Sequence, residues 1–339
     1  MFQRYSKRMK ILVVGMGSIG TRHIKNLLFL GYKKIAVCDP DSKKLELISE
    51  LANVQNRALN ILLYKDIKTA LKIEKPDVVF VCNPTHLHVP TASLALDYGA
   101  HIFIEKPISH SLKGVDALIK KAKKKRKIAM VACNWRFHAG FMELKKILDG
   151  KKYGKSILAR MFGGYYLPMA RKNTNYKKVY AAGTKGGGVI IDSGAHAVDY
   201  MENFFGNIKY ITALKRTMHI LDIKSEEAAV LAFEHESGVL TAVMADYVSK
   251  KSSGTMEVVT DKGLLTFNIA SNEIVFEGEN SAKKILYRGV KDTNLMFVSE
   301  LKHFFKCIQN KSKPAQDLIM AKRVLKTLLV ASSIKPKQV

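Results

Sequence analysis

One stretch near the start of the chain limits its fold more than any other: Lys10-Ile-Leu-Val-Val-Gly15-Met-Gly17-Ser18-Ile19-Gly20, followed by helical apolar spacing from Thr21 to Leu30. A short apolar strand runs into G-x-G-x-x-G and then into a helix. The glycines suit a tight turn, close approach of a pyrophosphate to the backbone and close helix–strand packing, while the helix start offers N–H groups to an anion. About twenty residues on, Asp39 closes the next β-branched run, where an acid binds both ribose hydroxyls of an adenosine half. The segment is therefore expected to bind a dinucleotide. Asp39, Pro40 and Asp41 oppose a 2′-phosphate, so NAD is expected in preference to NADP, with Lys43 and Lys44 pulling the other way.

The same texture continues beyond this motif. The runs Ile11–Val14, Ile35–Cys38, Val78–Cys82, Ile102–Ile104 and Ile128–Ala132 alternate with longer amphipathic stretches, the pattern of a parallel sheet covered on both faces. After Cys133 the pattern changes. Ile157–Phe162, Ile211–Lys215, Ala229–Glu234, Leu240–Asp246, Met256–Thr260 and Leu264–Asn268 follow one another through short turns such as Glu236-Ser237-Gly238. The expectation is an α/β chain: a doubly wound Rossmann domain over 1–133, then an α+β domain over 134–339 with a large, open, mixed or antiparallel sheet. The helical stretch from Phe297 to Leu329, broken near Lys311-Ser312-Lys313-Pro314, is expected to close the second domain.

The chain has 339 residues, more than the ~150 typical of one domain, and its 47% apolar and 25% charged content suits ordinary globular folding. The longest apolar runs fall far short of the ~20 residues of a membrane helix, and the four apolar residues before Gly15 are too few for a signal-peptide core. A cytoplasmic protein is expected. Cys38, Cys82, Cys133 and Cys307 lack C-x-x-C spacing and read as buried thiols. The net charge of +27 attracts polyanions without naming one. Its densest run, Lys120 to Lys127, lacks interleaved aromatics for base stacking and reads as a solvated helix end, so no nucleic-acid partner is expected.

Two further stretches carry chemistry. One is Lys75-Pro-Asp-Val-Val-Phe-Val-Cys-Asn83-Pro84-Thr85-His-Leu-His88, followed by Ala95 through Glu105-Lys106-Pro107. The other is Gly186-Gly-Gly-Val-Ile-Ile-Asp192-Ser-Gly-Ala-His196-Ala-Val-Asp199. Oxidation of a secondary alcohol requires loss of the hydroxyl proton to a group with a pKa near neutrality, a task that suits His196. The developing alkoxide needs a positive charge, and Lys106 follows a strand at the end where nucleotide folds place their ligands. Asp192 and His196 are four apart and share a helix face, so the carboxylate either orients the imidazole or holds a substrate hydroxyl, with Asp199 as a further partner. Each feature also has a plainer reading. A lysine after a strand is surface charge, an Asp–His pair is helix support, and a glycine run is a helix-leading turn. His86 and His88 with Cys82 lack a carboxylate cluster, so no metal is expected.

These motifs together resemble the glucose-fructose oxidoreductase, inositol dehydrogenase and rhizopine-catabolism dehydrogenase (Gfo/Idh/MocA) family over nearly the whole chain. The resemblance implies that Lys106, Asp192 and His196 surround the reacting carbon of a sugar or polyol. It also implies that Asn83, Pro84, Thr85, His88, Glu105 and Lys106 join Gly15, Gly17, Ser18, Ile19, Gly20 and Asp39 around the cofactor. The loops holding Gly163-Gly-Tyr165-Tyr-Leu-Pro168 and Tyr176-Lys-Lys-Val-Tyr180 are similar to a subgroup tied to surface-sugar and nonulosonic-acid biosynthesis, though Met169, Ala170 and Lys177 depart from it. Tyr165 and Tyr180 are accordingly expected to bind substrate. Arg136, in Asn134-Trp-Arg-Phe137, is expected to bind a substrate carboxylate or phosphate, or else to form an interdomain salt bridge. A NAD-dependent sugar dehydrogenase, paired as a dimer or tetramer through the face of the second sheet, is the leading expectation. A non-catalytic dinucleotide- and sugar-binding regulator, or an imine or bilin reductase on the same scaffold, is the alternative.

Overall fold

Residues 9–54, 61–171, 175–183, 187–279 and 282–335 are described by a computed structural model. The chain divides into two units, one made of the residues up to Ala132 with Phe297–Lys322, the other of Cys133–Met296 and the residues from Arg323 onward.

In the first unit, strands β1 (Ile11–Val14), β2 (Ile35–Cys38), β3 (Leu62–Tyr64), β4 (Val78–Val81), β5 (His101–Ile104) and β6 (Ala129–Val131) form one sheet in the order β3-β2-β1-β4-β5-β6. Every pairing is parallel. β1, β2 and β4 are buried along their whole length, which is why they read as unbroken apolar runs. Helices α1 (Ser18–Phe29), α2 (Ser42–Val54), α3 (Ile67–Glu74), α4 (His88–Asp97) and α5 (Val115–Lys124) link the strands. Asp66 caps α3 by accepting from the Thr69 N–H, and Lys75 ends it in the left-handed conformation. At the end of α5, Lys121, Lys123 and Lys124 lie where a helix favours cations, and Lys121 meets Asp97 at 2.8 Å.

The last part of the chain departs from expectation. Within α8 (Asn294–Asn310), Phe304 and Phe305 pack against Phe80, and Phe305 stacks on Tyr32 with ring centroids 4.3 Å apart. Beyond that helix, the Val131 N–H donates to the Gln316 carbonyl at 3.1 Å, and Asp317 bridges Met130, covering the open edge of β6. The segment Phe297–Lys322 thus belongs with the first unit rather than with residues 134–339. An amphipathic helix shows in its sequence that it covers something, but not which sheet. Helix α9 (Leu318–Ser333) follows.

The second unit holds an eight-stranded sheet: β7 (Ser156–Gly164), β8 (Ile208–Arg216), β9 (Ala228–His235), β10 (Leu240–Asp246), β11 (Ser253–Thr260), β12 (Gly263–Asn268), β13 (Glu273–Gly278) and β14 (Lys284–Arg288). The order is β14-β13-β12-β11-β7-β10-β9-β8, antiparallel except for the parallel pair β7 and β10. Helices α6 (Ala139–Gly150) and α7 (Val189–Phe205) supply Phe141, Val198 and Met201 to a core shared with Leu231, Val243 and Phe267. The alternate residues Leu158, Phe162, Tyr210, Leu214, Val230, Leu240 and Met244 are exposed. Shallow grooves run between them. Strands β3, β13 and β14 were not expected from the sequence; β3 and β14 carry no fully buried residue, although Leu62–Tyr64 and Ile285–Tyr287 are short apolar runs.

Phe304→Ala is expected to lower stability by about 3–5 kcal/mol in urea unfolding, since the ring is fully buried. The same change at Phe29, 74% exposed, is expected to stay within about 0.5 kcal/mol.

Candidate active site

The strand order of the first sheet reverses between β1 and β4, and the loops leaving these two strands meet at that switch point. Gly15 has φ +97 and donates its N–H to the Cys38 carbonyl at 2.8 Å; a Cβ there would lie 2.5 Å from the Asn83 nitrogen. A Cβ on Gly20 would overlap the Gly15 carbonyl, whereas one on Gly17 would meet nothing within 4 Å. The turn is therefore tight at Gly15 and Gly20 and open at Gly17. Gly17 caps α1 without a side-chain hydrogen bond, and Gly17 and Ser18 are exposed at the helix start. The buried Asp39 carboxylate accepts from the Met16 N–H at 2.7 Å and from the Asp41 N–H at 2.9 Å, which pins it beside the turn. Lys44 comes within 3.7 Å of it. This cradle fits a dinucleotide: an open backbone surface for a pyrophosphate, with a fixed acid at the end of the neighbouring strand.

The Asn83 amide donates to Thr91 Oγ1 at 2.8 Å, while its Oδ1 is buried with no hydrogen-bond partner. Pro84 and Thr85 lead into a short 3-10 turn. His88 is buried, with Nδ1 2.8 Å from the Pro107 carbonyl and Nε2 2.8 Å from the Asn83 carbonyl. Burial pushes its pKa below the ordinary imidazole value, against the pull of those two carbonyls. His88 thus clamps two loops together, with both ring nitrogens turned to backbone carbonyls. Glu105 has both carboxylate oxygens engaged. Its Oε1 lies 2.7 Å from His23 Nε2, and its Oε2 accepts from the Lys106 N–H at 3.2 Å. Burial opposes its ionisation, but the His23 hydrogen bond and the Lys106 charge outweigh it and hold the carboxyl below its usual range. Lys106 is part-exposed and joined to Pro107 by a cis peptide bond. All four cysteines are buried free thiols, and burial, with Asp66 and Asp39 adding, pushes Cys38 up to about 12.

In the second unit, α7 presents Asp192 and His196. The parallel pairing of β7 with β10 brings Tyr165 and Tyr247, each just beyond a strand end, to a ring separation of 5.3 Å. Both hydroxyls donate to Asp192 Oδ2 at 3.2 Å, and the Tyr180 hydroxyl donates to Oδ1. Three phenols thus hold one carboxylate that is only 4% exposed. Burial first, then the Asp192 charge, pushes Tyr247 well above the ordinary phenol range. Such donors favour an ionised carboxylate.

The glycine run is a packing device. A Cβ on Gly187 would overlap the Tyr180 and Gly183 carbonyls, and one on Gly188, at φ +87, would lie 2.3 Å from Glu226 Oε1 only by displacing that carboxylate. Glu226 accepts from the Ile190 N–H at 3.1 Å, an acid at a helix start. Protein atoms therefore fill the space beside Gly187 and Gly188, and Gly186 lies outside the described residues. These glycines let the Tyr180 turn lie against the helix start.

Arg136 is committed within its own unit. Its Nε and Nη2 contact Asp199 at 2.7 and 2.8 Å, Asp199 is fully buried, and the Cys133 thiol donates to the same carboxylate. That fork occupies the guanidinium expected for a substrate anion or an interdomain bridge, and it occupies the Asp199 carboxylate expected to back Asp192 and His196. His196 is half-buried, its ring 6.4 Å from that of Trp135. Tyr247, Glu226 and His23 escaped the sequence reading. His23 left one signal, a polar residue in phase with Gly20, Ile24 and Leu27 on the buried face of α1.

Comparison with known proteins agrees with this architecture. Residues 9–133 match the model of an oxidoreductase family with an NAD-binding Rossmann fold, and residues 141–266 match the GFO/IDH/MocA C-terminal domain. The chain belongs to the GFO/IDH/MocA family. It is an oxidoreductase that uses NAD. It is 26% identical over 318 residues to the myo-inositol 2-dehydrogenase of Thermotoga maritima, covering 91% of this chain and 90% of that one. Among solved structures, an oxidoreductase from Agrobacterium radiobacter in complex with NAD+, L-tartaric acid and magnesium has a TM-score of 0.82 at 16% identity, covering 96% of this chain and 95% of that one. The WlbA dehydrogenase of Chromobacterium violaceum, in complex with NADH and UDP-GlcNAcA, has a TM-score of 0.78 at 20% identity, covering 96% and 93%. These two likenesses speak for the fold.

Gly17→Ala is expected to leave the melting temperature unchanged while weakening NAD about tenfold in calorimetric titration, because its methyl would enter the space left for the pyrophosphate. Gly15→Ala is expected to lose stability as well, by about 1–3 kcal/mol.

Proposed function

We propose that this oxidoreductase converts a secondary hydroxyl of a sugar, sugar acid or nucleotide sugar to a carbonyl, or runs the reverse reaction, with NAD as the hydride partner. The observation that carries the proposal is the Asp192 carboxylate held by Tyr165, Tyr180 and Tyr247 one helical turn from His196. The part-buried Tyr165 and Tyr180 set phenol oxygens beside the Asp192 carboxylate, groups of the kind that hydrogen-bond to hydroxyls. A ligand rich in neutral hydroxyls matches that surface. The names of the inositol dehydrogenase and the UDP-GlcNAcA-bound relative support the same class of substrate.

In this reading Ser18, Ile19 and Gly20 hold the pyrophosphate through the start of α1, and Asp39 holds the adenosine ribose. Asn83, Pro84 and Thr85 border the cofactor. NAD, when bound, accepts the hydride from the substrate carbon. His196 takes the hydroxyl proton, Lys106 stabilises negative charge on the same oxygen, and Asp192 with its tyrosines fixes the ring of the substrate. The exposed apolar face of the second sheet supports pairing of two copies as a homodimer, or of four as a tetramer. We place the protein in the cytoplasm with the soluble NAD pool; among the described residues no helix is long and apolar enough to cross a membrane.

A panel of sugars, polyols and nucleotide sugars, read by NADH absorbance, is expected to yield at least one substrate. With it, His196→Ala and Lys106→Ala are each expected to lower kcat by about 100-fold or more. Full turnover in both would eliminate these roles. NAD is expected to bind more tightly than NADP, and a titration with the opposite order would reject the reading of Asp39. For the assembly, Leu240→Glu with Met244→Glu is expected to turn the light-scattering mass from that of an oligomer to the 37.9 kDa of one chain.

A further inference from the structure

We propose that His23 is a positioning residue for Lys106, acting through Glu105. The inference rests on the catalytic reading of Lys106 given above. His23 is fully buried on α1, its ring 5.6 Å from that of Phe80 and 5.2 Å from that of Phe103. Its Nδ1 is buried with no hydrogen-bond partner among the described residues, and its Nε2 meets Glu105 Oε1 at 2.7 Å. Among the described residues the ring therefore meets its one hydrogen-bond partner through Nε2.

Packing alone does not account for this arrangement, because an apolar side chain would fill the same box without an orphaned nitrogen. What the histidine adds is a donor to a carboxylate that has left water. The other oxygen of Glu105 accepts the Lys106 N–H at 3.2 Å, so one carboxylate joins the helix that starts at the open glycine turn to the backbone that carries the lysine. Cys82, whose thiol burial raises, His88, whose imidazole burial depresses, His23 and Lys106 are the titratable groups that act on or respond to Glu105. Loss of the His23 donor leaves burial opposing Glu105 ionisation with less to offset it, so the carboxyl pKa rises. Activity that depends on ionised Glu105 is then lost at a higher pH as the solution is acidified.

His23→Leu fills the box without a donor, and His23→Gln retains an N–H at the reach of Nε2. With the substrate found in the panel above, His23→Leu is expected to lower kcat about 10- to 100-fold, to change NAD affinity little and to move the acidic limb of the kcat–pH profile upward by about one unit. His23→Gln is expected to recover most of kcat and return the limb. In the protein without substrate, 13C NMR of the Glu105 side-chain carboxyl is expected to report the same upward movement in His23→Leu. An unmoved carboxyl titration and pH limb, or a His23→Gln variant as impaired as His23→Leu, would overturn the inference. Should His23→Leu not fold, Glu105→Gln, which keeps the shape and discards the charge, is expected to lower kcat to the same degree, and normal turnover in it would be equally fatal. Lys106→Ala separates the two readings: full turnover there removes the catalytic role itself, whereas loss in Lys106→Ala with normal His23→Leu and Glu105→Gln removes only the role of His23.

Discussion

The approach of two loops at the switch point of the first sheet governs what the first unit can do. Where β1 and β4 end side by side, the backbone of Gly15 lies so near that of Asn83 that no Cβ fits between them. That closeness aims the start of α1 along the strand ends and leaves the surface at Gly17 bare. It also sets Asp39 beside the turn, because the adjacent β2 ends where its carboxylate reaches the Met16 N–H. A parallel sheet with all six strands in this order has one crevice of this kind, and the dinucleotide chemistry of the family follows from it.

Buried carboxylates organise both units, and their donors differ with their work. Asp199 meets a guanidinium in a two-pronged pair, which consumes the charge on both sides and leaves a structural joint. Glu227, fully buried, gathers the Met218 and Leu221 N–H groups and shapes a loop. Asp192 instead meets three neutral hydroxyls. Two of the supporting phenols, those of Tyr165 and Tyr180, are part-buried, and the third, Tyr247, is fully buried. Glu105 stands between these cases, held by a histidine that donates and lying beside a lysine that carries charge. Asp192 and Asp199, two turns apart on one helix, thus sit in different settings, one among phenol hydroxyls and one on a guanidinium.

Much of the scaffold was legible in the residues because local patterns dictate it. β1 and β2 begin and end where their apolar runs do, and the switch to alternating strands after Cys133 marks the second sheet. The edge strands β3 and β14 lack a buried face, and their apolar runs are too short to mark a strand by themselves. Gly187 and Gly188 stood out in the sequence as an unusual run, yet their spacing did not distinguish a surface for substrate from a seat for the Tyr180 turn; the carbonyls packed beside them decide for the turn. Tyr247, at the end of an ordinary alternating strand, carried no motif at all.

By itself the sequence determined the nucleotide turn, the strand-rich second half and the identity of the titratable groups, because glycine requirements, period-two patterns and side-chain chemistry are properties of short segments. Tertiary structure alone decided the partner of each group. Arg136 and Asp199, Glu105 and His23, Asp192 and Tyr247, and the aromatic face of Phe297–Lys322 against the first sheet join residues far apart in the chain. Whether a charge is spent on a neighbour or kept for a ligand depends on which groups burial brings within hydrogen-bonding distance, and spacing along the chain does not encode that distance.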